Sequence, residues 1–428
     1  MFLFDLGKVP EQQSMLIFHV LARMGIEALV IVSPQSPLVS IGYFQDAEKE
    51  VDIPYCKASG IPFMRREVGG GATYLDENQI FYQLIWRKDN PRFPKIIRDI
   101  YPWFSEAPVE TYRTFGIQAE YRAVNDIVTK EGRKIAGEGG GNIAECMVFV
   151  GGILLDFDYK TMSKILRVPD EKFRDKIFKT MEENLTTTKR ELGTILPRDE
   201  AVAVLRDKFQ RRVGRLEPVS LNSEILENMR ELEKWMTSDK FLYKKRPKIP
   251  KGVKIKEGLE VLYGIHKARG GLIRTAEEIS ERRLEDITIS GDFTFFPKEE
   301  LKGLEESLEK VSLKEDHIVE RVETLYGGKG IESPGVEPED LAIAILNPIN
   351  GGRFCLMEHA KPEKRTQRFL FYIRLFFLGA KDARTFLLEE RTILGESFRN
   401  IKSVMSPTGR SKIIYGDKGG GNDIENIR

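Results

Sequence analysis

Apolar positions recur at helical spacing over residues 10–24, where Pro10 can open the first turn and Gly25 follows Met24 as a stop. Ala28–Ser33 (ALVIVS) reads as a buried strand and Pro37–Gly42 (PLVSIG) as a second. A short helix and a strand over Ile61–Arg66 come next. The glycines at 69–71 break that strand, and Phe81–Trp86 (FYQLIW) resumes the pattern. Residues 93–115 predict a helix. Tyr121–Val128, Arg133–Gly137 and Met147–Phe157 predict further strands around loops. The stretch 160–245 is charged and mostly helical in spacing, with Ala201, Val204, Leu205 and Phe209 on one face.

Lys244–Lys256 (KKRPKIPKGVKIK) is basic and carries two prolines, the pattern of a linker, read here as a solvated hinge. After it, strand-like and helix-like runs alternate over 258–345, enough for a small α/β domain. The expected organisation is therefore a first domain over 1–245 and a basic linker over 246–257. An accessory domain over 258–345 follows, then a helical extension over 346–428 without a functional reading. Its polar tail, Gly416–Arg428, is expected to be mobile. The fold class is α/β in the α+β sense, with a mixed sheet in the first domain.

Composition changes this picture little. A length of 428 residues sets a prior of about two or three domains. With 41% hydrophobic and 31% charged residues the chain reads as globular, not disordered. A net charge of +1 gives no global pull toward nucleic acid, so any basic site is local. Cys56, Cys146 and Cys355 lie far apart and fit neither a disulfide framework nor a metal spacing. A reducing cytoplasm is the expected setting. The start, with Asp5 and no long apolar core, does not read as a secretory signal. The most apolar run, Phe369–Ala380, contains Arg374 and falls short of the roughly 20 residues a spanning helix needs, so no membrane segment is expected.

Two stretches carry candidate chemistry. In Met64–Asp76 (MRREVGGGATYLD), Arg65 and Arg66 precede three consecutive glycines. Glycine lets backbone approach a ligand closely, successive N–H groups can cradle an anion, and arginine can grip a carboxylate or phosphate through two parallel hydrogen bonds. The plainer reading is a glycine-rich hairpin with solvated arginines. In Arg122–Gly141, Lys134 sits in a short strand, KIAG, that ends in Gly137 and precedes another glycine run. A partly desolvated lysine there can neutralise charge developing on an oxygen, and Asp126 is a candidate Mg²⁺ ligand. A surface lysine on a hairpin is the plainer reading.

Taken in order, Ile41–Gln45 (IGYFQ), Gly60–Asp76, Asn125–Asp126, Gly132–Gly137 (GRKIAG) and Gly151–Asp158 (GGILLDFD) resemble the lipoate–protein ligases of the biotin/lipoate protein ligase superfamily. Asn184–Leu192 (NLTTTKREL) resembles the same family, so the likeness covers roughly residues 12–240. Tyr263–Arg274, Ile289–Leu308 and Gly335–Leu341 look like that family's accessory C-terminal domain, here fused.

The resemblance implies activation of lipoate by ATP with Mg²⁺, then transfer of the lipoyl group to a lysine of a carrier. Carriers of that kind are lipoyl domains of 2-oxoacid dehydrogenase complexes or the glycine-cleavage H protein. It further implies a monomer, while the charge balance and the short apolar run lead to the expectation of no nucleic-acid and no membrane partner. By position, Lys134 would bridge the lipoyl carbonyl and the α-phosphate. Arg66 would contact the lipoyl or phosphate end, and Gly69, Gly70 and Gly71 would pack on the adenylate. Asn125, Asp126 and Gly137 would complete the substrate and ATP site.

The chain departs from the family pattern at Val68, Leu75, Glu138 and Gly151, which stand where Ser or Thr, His, Ser and His are usual. Three alternatives stay open. One is an ATP-independent octanoyl or lipoyl transferase using Cys146 as nucleophile, one a biotin ligase, and one a non-catalytic binder of acyl-adenylate. Trp86, Trp103 and Trp235 read as packing residues.

Overall fold

The computed structural model describes residues 1–168, 171–247, 259–348, 401–405 and 411–415. Within Met1–Ile373, one compact unit, the first part is built on a mixed six-stranded sheet. Its strands are β1 (Phe2–Val9), β2 (Ala28–Pro34), β6 (Gln79–Arg87), β10 (Gly139–Ile143), β11 (Cys146–Leu154) and β12 (Glu217–Pro218). They run in the order β10-β11-β6-β2-β1-β12. β1 pairs parallel with β2 and β12, and the other pairs are antiparallel.

Alternation along the strands divides the apolar side chains between two faces. Leu29, Ile31, Leu84 and Trp86 face one core with the helices Ile97–Thr114 and Arg198–Val213. Val30, Val32, Ile85 and Val148 face the other with helix α1 (Glu11–Arg23) and the helix Ser223–Met236.

β1 was not expected from the sequence. Asp5 and Gly7 interrupt its apolar run, and the pairing with β2 slips between those two residues. The stretch expected as a single strand over Tyr121–Val128 is a hairpin. Its arms are β7 (Ala119–Arg122) and β8 (Asp126–Thr129), and β8 pairs on its other edge with β9 (Lys134–Gly137). A third small sheet joins β3 (Leu38–Ile41), β4 (Phe63–Arg65) and β5 (Thr73–Leu75) in the order β4-β3-β5. It presents the first glycine loop between β4 and β5.

Residues 259–291 form a three-stranded meander, β13 (Leu259–Ala268), β14 (Gly271–Ser280) and β15 (Arg283–Gly291). The helices Glu300–Leu308, Glu315–Lys329 and Pro338–Leu346 follow it. Their shared core takes in Phe44 from the first part, whose ring stacks on Phe293 at 5.2 Å. Of the expected linker, 248–257 lies outside the described residues. The described start is no solvated hinge: Lys245 is buried against Glu305 at 2.7 Å, and Lys244 lies 3.3 Å from the centre of the Tyr43 ring.

Arg374–Arg428 forms a second unit, in which β16 (Ile401–Met405) and β17 (Ser411–Tyr415) pair antiparallel. The expected helical extension and polar tail otherwise fall outside the described residues, as does the whole apolar run Phe369–Ala380. Among the described residues no helix is long and apolar enough to cross a membrane.

Candidate active site

β4 ends at Arg65 and Arg66 follows directly; both are buried, and as successive residues they leave the chain on opposite sides. Arg65 donates to the carbonyls of Phe241 (2.9 Å), Gly42 (3.0 Å), Tyr43 (3.0 Å) and Gln45 (2.6 Å), and to that of Leu242. Arg66 donates from Nη1 to the Ser40 carbonyl (3.0 Å) and Oγ (3.2 Å). Its Nη2 reaches the carbonyls of Gly69 (2.9 Å) and Gly71 (2.8 Å), and its Nε that of Gly69 (3.3 Å). Burial pulls both guanidinium groups down to about 10, still charged at neutral pH.

The ligand contact expected of Arg66 is therefore not offered by this arrangement. A guanidinium has five N–H donors, and protein oxygens engage those of Arg66. It braces the glycine loop from within.

The glycines, too, serve packing. Gly69 N–H donates to the Gly140 carbonyl (3.2 Å) and Gly70 N–H to the Phe293 carbonyl (3.4 Å), so neither is free to cradle an anion. A side chain at 69 would meet Thr294 Oγ1 at 2.6 Å and the Phe293 carbonyl at 2.9 Å. One at 140 would meet the Phe149 ring at 2.7 Å, and one at 141 the Glu67 carbonyl at 3.0 Å. The two glycine runs thus lie backbone against backbone, with the 293–294 segment closing over the first. Gly70 also holds φ +95°, which glycine alone adopts readily.

The lysine hairpin is open by contrast. Lys134 Nζ lies 2.6 Å from Asp126 Oδ1, and Arg122 Nη2 lies 3.0 Å from Asp126 Oδ2. The Lys134 side chain keeps 32% of its surface exposed. A Cβ at Gly137 would fall 2.9 Å from Lys134 Nζ, so glycine at 137 makes room for the amine. The Lys134 carbonyl accepts from Thr186 N–H at 2.8 Å, which ties the Asn184–Leu192 segment to this strand. Burial works against the Asp126 charge, but the cations Lys134 and Arg122 overcome it and hold the carboxyl below its ordinary value.

A metal does not fit at Asp126 in this arrangement, because each of its oxygens already faces a cation. Nor does any group of three His, Cys, Asp or Glu among the described residues suit one. Asn125 is structural as well: its Nδ2 donates to the Glu138 carbonyl (2.6 Å) and its carbonyl accepts from Glu138 N–H (2.8 Å).

Glu138 is the residue sequence reasoning under-read. Its carboxyl is buried, accepts from Tyr82 Oη at 3.0 Å, and makes a short hydrogen bond with Ser105 Oγ. Ser105 Oγ also lies 2.8 Å from the Tyr101 carbonyl, which can only accept. The hydroxyl has one proton to give and two acceptors within reach; where it serves the carbonyl, the proton shared with Glu138 is the acid's own. Burial pushes the Glu138 carboxyl up to about 8, against the hydrogen bonds from Ser105 and Tyr82.

Two departures from the family pattern are linked here. A Cβ on Gly151 would sit 2.4 Å from Tyr82 Oη, so glycine at 151 admits the tyrosine that bonds Glu138. Val68 and Leu75 are both buried in the apolar core beside α1. Cys146, the alternative nucleophile, is buried at the start of β11 opposite Ile143 and Arg87. Burial pushes its thiol up to about 11, the reverse of what activates a thiolate.

A contact chain joins these elements. It runs from Lys134 over Gly137 to Glu138 and Asn125, through Gly140 to Gly69, and so to Arg66. The one accessible cation in it is Lys134, held by a carboxylate and lifted clear by a glycine.

Residues 13–210 match the family model of the lipoyl protein ligase A/B catalytic domain. The chain is 28% identical to octanoyltransferase LipM of Kyrpidia tusciae over 231 residues, 49% of this chain and 84% of that protein. It is 35% identical to lipoate-protein ligase A subunit 1 of Thermoplasma acidophilum over 156 residues, 34% of this chain and 58% of the relative. Among solved structures, a bi-partite lipoate protein ligase of Thermoplasma acidophilum, described with its E2 lipoyl domain, is similar with a TM-score of 0.52 and 27% identity. The likeness covers 58% of this chain and 98% of that one.

Proposed function

We propose that this enzyme, whose residues 13–210 match the family model of the lipoyl protein ligase A/B catalytic domain, is an ATP-dependent lipoate–protein ligase. A lipoate carboxylate oxygen attacks the α-phosphorus of ATP and pyrophosphate leaves. An acceptor lysine amine then attacks the carbonyl of the mixed anhydride. The amine proton is lost, an amide forms and AMP departs.

The observation that carries the reading is the Lys134 ammonium, partly exposed, oriented by Asp126 at 2.6 Å and standing over Gly137. A fixed cation is what both steps need, since each builds negative charge on an oxygen of the acyl-phosphate group. Asp126 keeps the ammonium in place and balances its charge between turnovers. Arg66 supports this from a distance by bracing the loop at 69–71, and Asn125 by joining the hairpin to Glu138. No step is assigned to a metal at Asp126, whose oxygens are paired with Lys134 and Arg122. The division into a catalytic domain over 1–245 and an accessory domain over 258–345 is part of this proposal. Its carriers are lipoyl domains of 2-oxoacid dehydrogenase complexes or the glycine-cleavage H protein.

A second reading, ATP-independent transfer of an octanoyl or lipoyl group, is favoured by the likeness to an octanoyltransferase. Its thiol nucleophile would be Cys146, which is buried with its thiol pushed up. Mass spectrometry of a lipoyl domain separates the two. Incubation with the chain, lipoate, Mg²⁺ and ATP should add one lipoyl group, and omission of ATP should abolish it. Modification from an octanoylated donor carrier without ATP would overturn the ligase reading in favour of transfer.

A further inference from the structure

Glu67 stands directly before the first glycine loop and is buried, as is Lys298 beyond the end of β15, and the two meet at 2.9 Å with 6% and 7% of their side chains exposed. Three side chains from two elements converge on this residue. Arg23 of α1 reaches its second oxygen at 2.6 Å, and its peptide N–H donates to His19 Nε2 at 3.0 Å. Burial opposes the Glu67 charge, and Lys298 foremost holds its carboxyl down to about 2, so the acid stays ionised. The Lys298 peptide N–H donates to Asn142 Oδ1 at 3.1 Å, and Asn142 Nδ2 donates to Glu299 at 3.0 Å, which fastens the same segment to the end of β10. Four residues before Lys298, Thr294 fills the space left by the missing side chain of Gly69, and Phe293 accepts from Gly70 N–H.

The geometry points to Lys298 as a positioning residue of the acyl-transfer site: its ammonium, sealed against Glu67, holds the Phe293–Thr294 backbone on Gly69 and Gly70 and so sets the glycine loop beside the lysine hairpin. The inference rests on the ligase reading for what the loop serves, and on contacts alone for how the loop is held.

A buried ion pair adds little net stability but enforces one geometry, and removing one partner leaves an uncompensated charge. A loop freed by a fraction of an ångström loses the alignment on which transfer between bound groups depends. The accessory part therefore contributes to the site without touching a reacting atom.

The test uses the full chain and compares K298M, K298R and the double variant E67M/K298M. Carrier modification is followed by mass spectrometry, and hydrogen exchange is followed at the amides of 66–72. For K298M, kcat should fall about 10²-fold with KM for the carrier within about twofold, and Gly70 should exchange faster. K298R should restore both readouts. If K298M does not fold, the double variant, which leaves no unpaired buried carboxylate, should fold with the same low kcat and fast exchange. Wild-type kcat and wild-type exchange in either methionine variant overturn the inference. If the wild-type chain modifies no carrier, the ligase reading fails, and the exchange comparison still decides whether Lys298 holds the loop.

Discussion

Replacing Glu138 by Gln tests the reading of the polar cluster beneath the site. The side chain keeps its shape, its amide can donate to Ser105 Oγ where the protonated acid does, and its carbonyl still accepts from Tyr82. What disappears is the ability to titrate. Burial lifts the Glu138 carboxyl from an ordinary value near 4.5 to about 8. Between those values the folded chain keeps a proton the unfolded chain has released. Stability from this group is complete below about pH 4.5 and is lost as pH rises to about 8.

The slope cannot exceed about 1.4 kcal/mol per pH unit for one carboxyl. Glu277 in β14, also pushed up to about 8 by burial, contributes a second slope that the variant leaves untouched. The variant should therefore reduce the net loss, not abolish it, against an opposite slope from His19, which burial pushes down to about 3. Urea unfolding at pH 5.5 and pH 7.5 measures this. From the lower to the higher pH, Glu138→Gln should gain on the wild type by up to about 2.7 kcal/mol. A difference in stability that stays constant across those two pH values would show that Glu138 is ionised throughout and that the proton accounting at Ser105 is wrong.

Lys134→Ala should cost about 10²–10³ in the rate of carrier lipoylation. The lost partly exposed ion pair should cost no more than about 1 kcal/mol of stability, with thermal unfolding as the control; near-full activity would remove the assignment. Gly69→Ala should destabilise the chain by about 1–3 kcal/mol, because its Cβ would meet backbone of Phe293 and Thr294 at 2.9 Å, and Tm reads this directly. Cys146→Ala should leave ATP-dependent lipoylation unchanged within about twofold, since a buried thiol pushed up to about 11 is a packing group; loss of all activity in a folded variant would favour the transferase reading.

Much of the architecture was legible in the chain. The helix at 11–23, the strands at 28–34 and 79–87 and the lysine strand at 134–137 all carry periodic apolar patterns. β10 was not, because Gly139–Gly141 offers no alternation to read. Its glycines answer to Phe149 and to the Glu67 backbone, neighbours distant in sequence. The same limit applies to the site. The arginine and glycine loop was found by residue type, but residue type cannot say that Ser40, Gly69 and Gly71 consume the donors of Arg66. The departures at Glu138 and Gly151 were visible singly. Their connection runs through Tyr82, on a third strand, and exists only in space.

Arg65, the neighbour of Arg66, grips the carbonyls of Phe241 and Leu242 just before the connecting segment begins. Three residues beyond Leu242, Lys245 reaches Glu305 of the accessory part at 2.7 Å. One buried guanidinium on the strand before the glycine loop thereby fixes the backbone from which that contact departs. Arg65→Met should loosen the glycine loop and the Lys245–Glu305 contact together, which hydrogen exchange at both places would read.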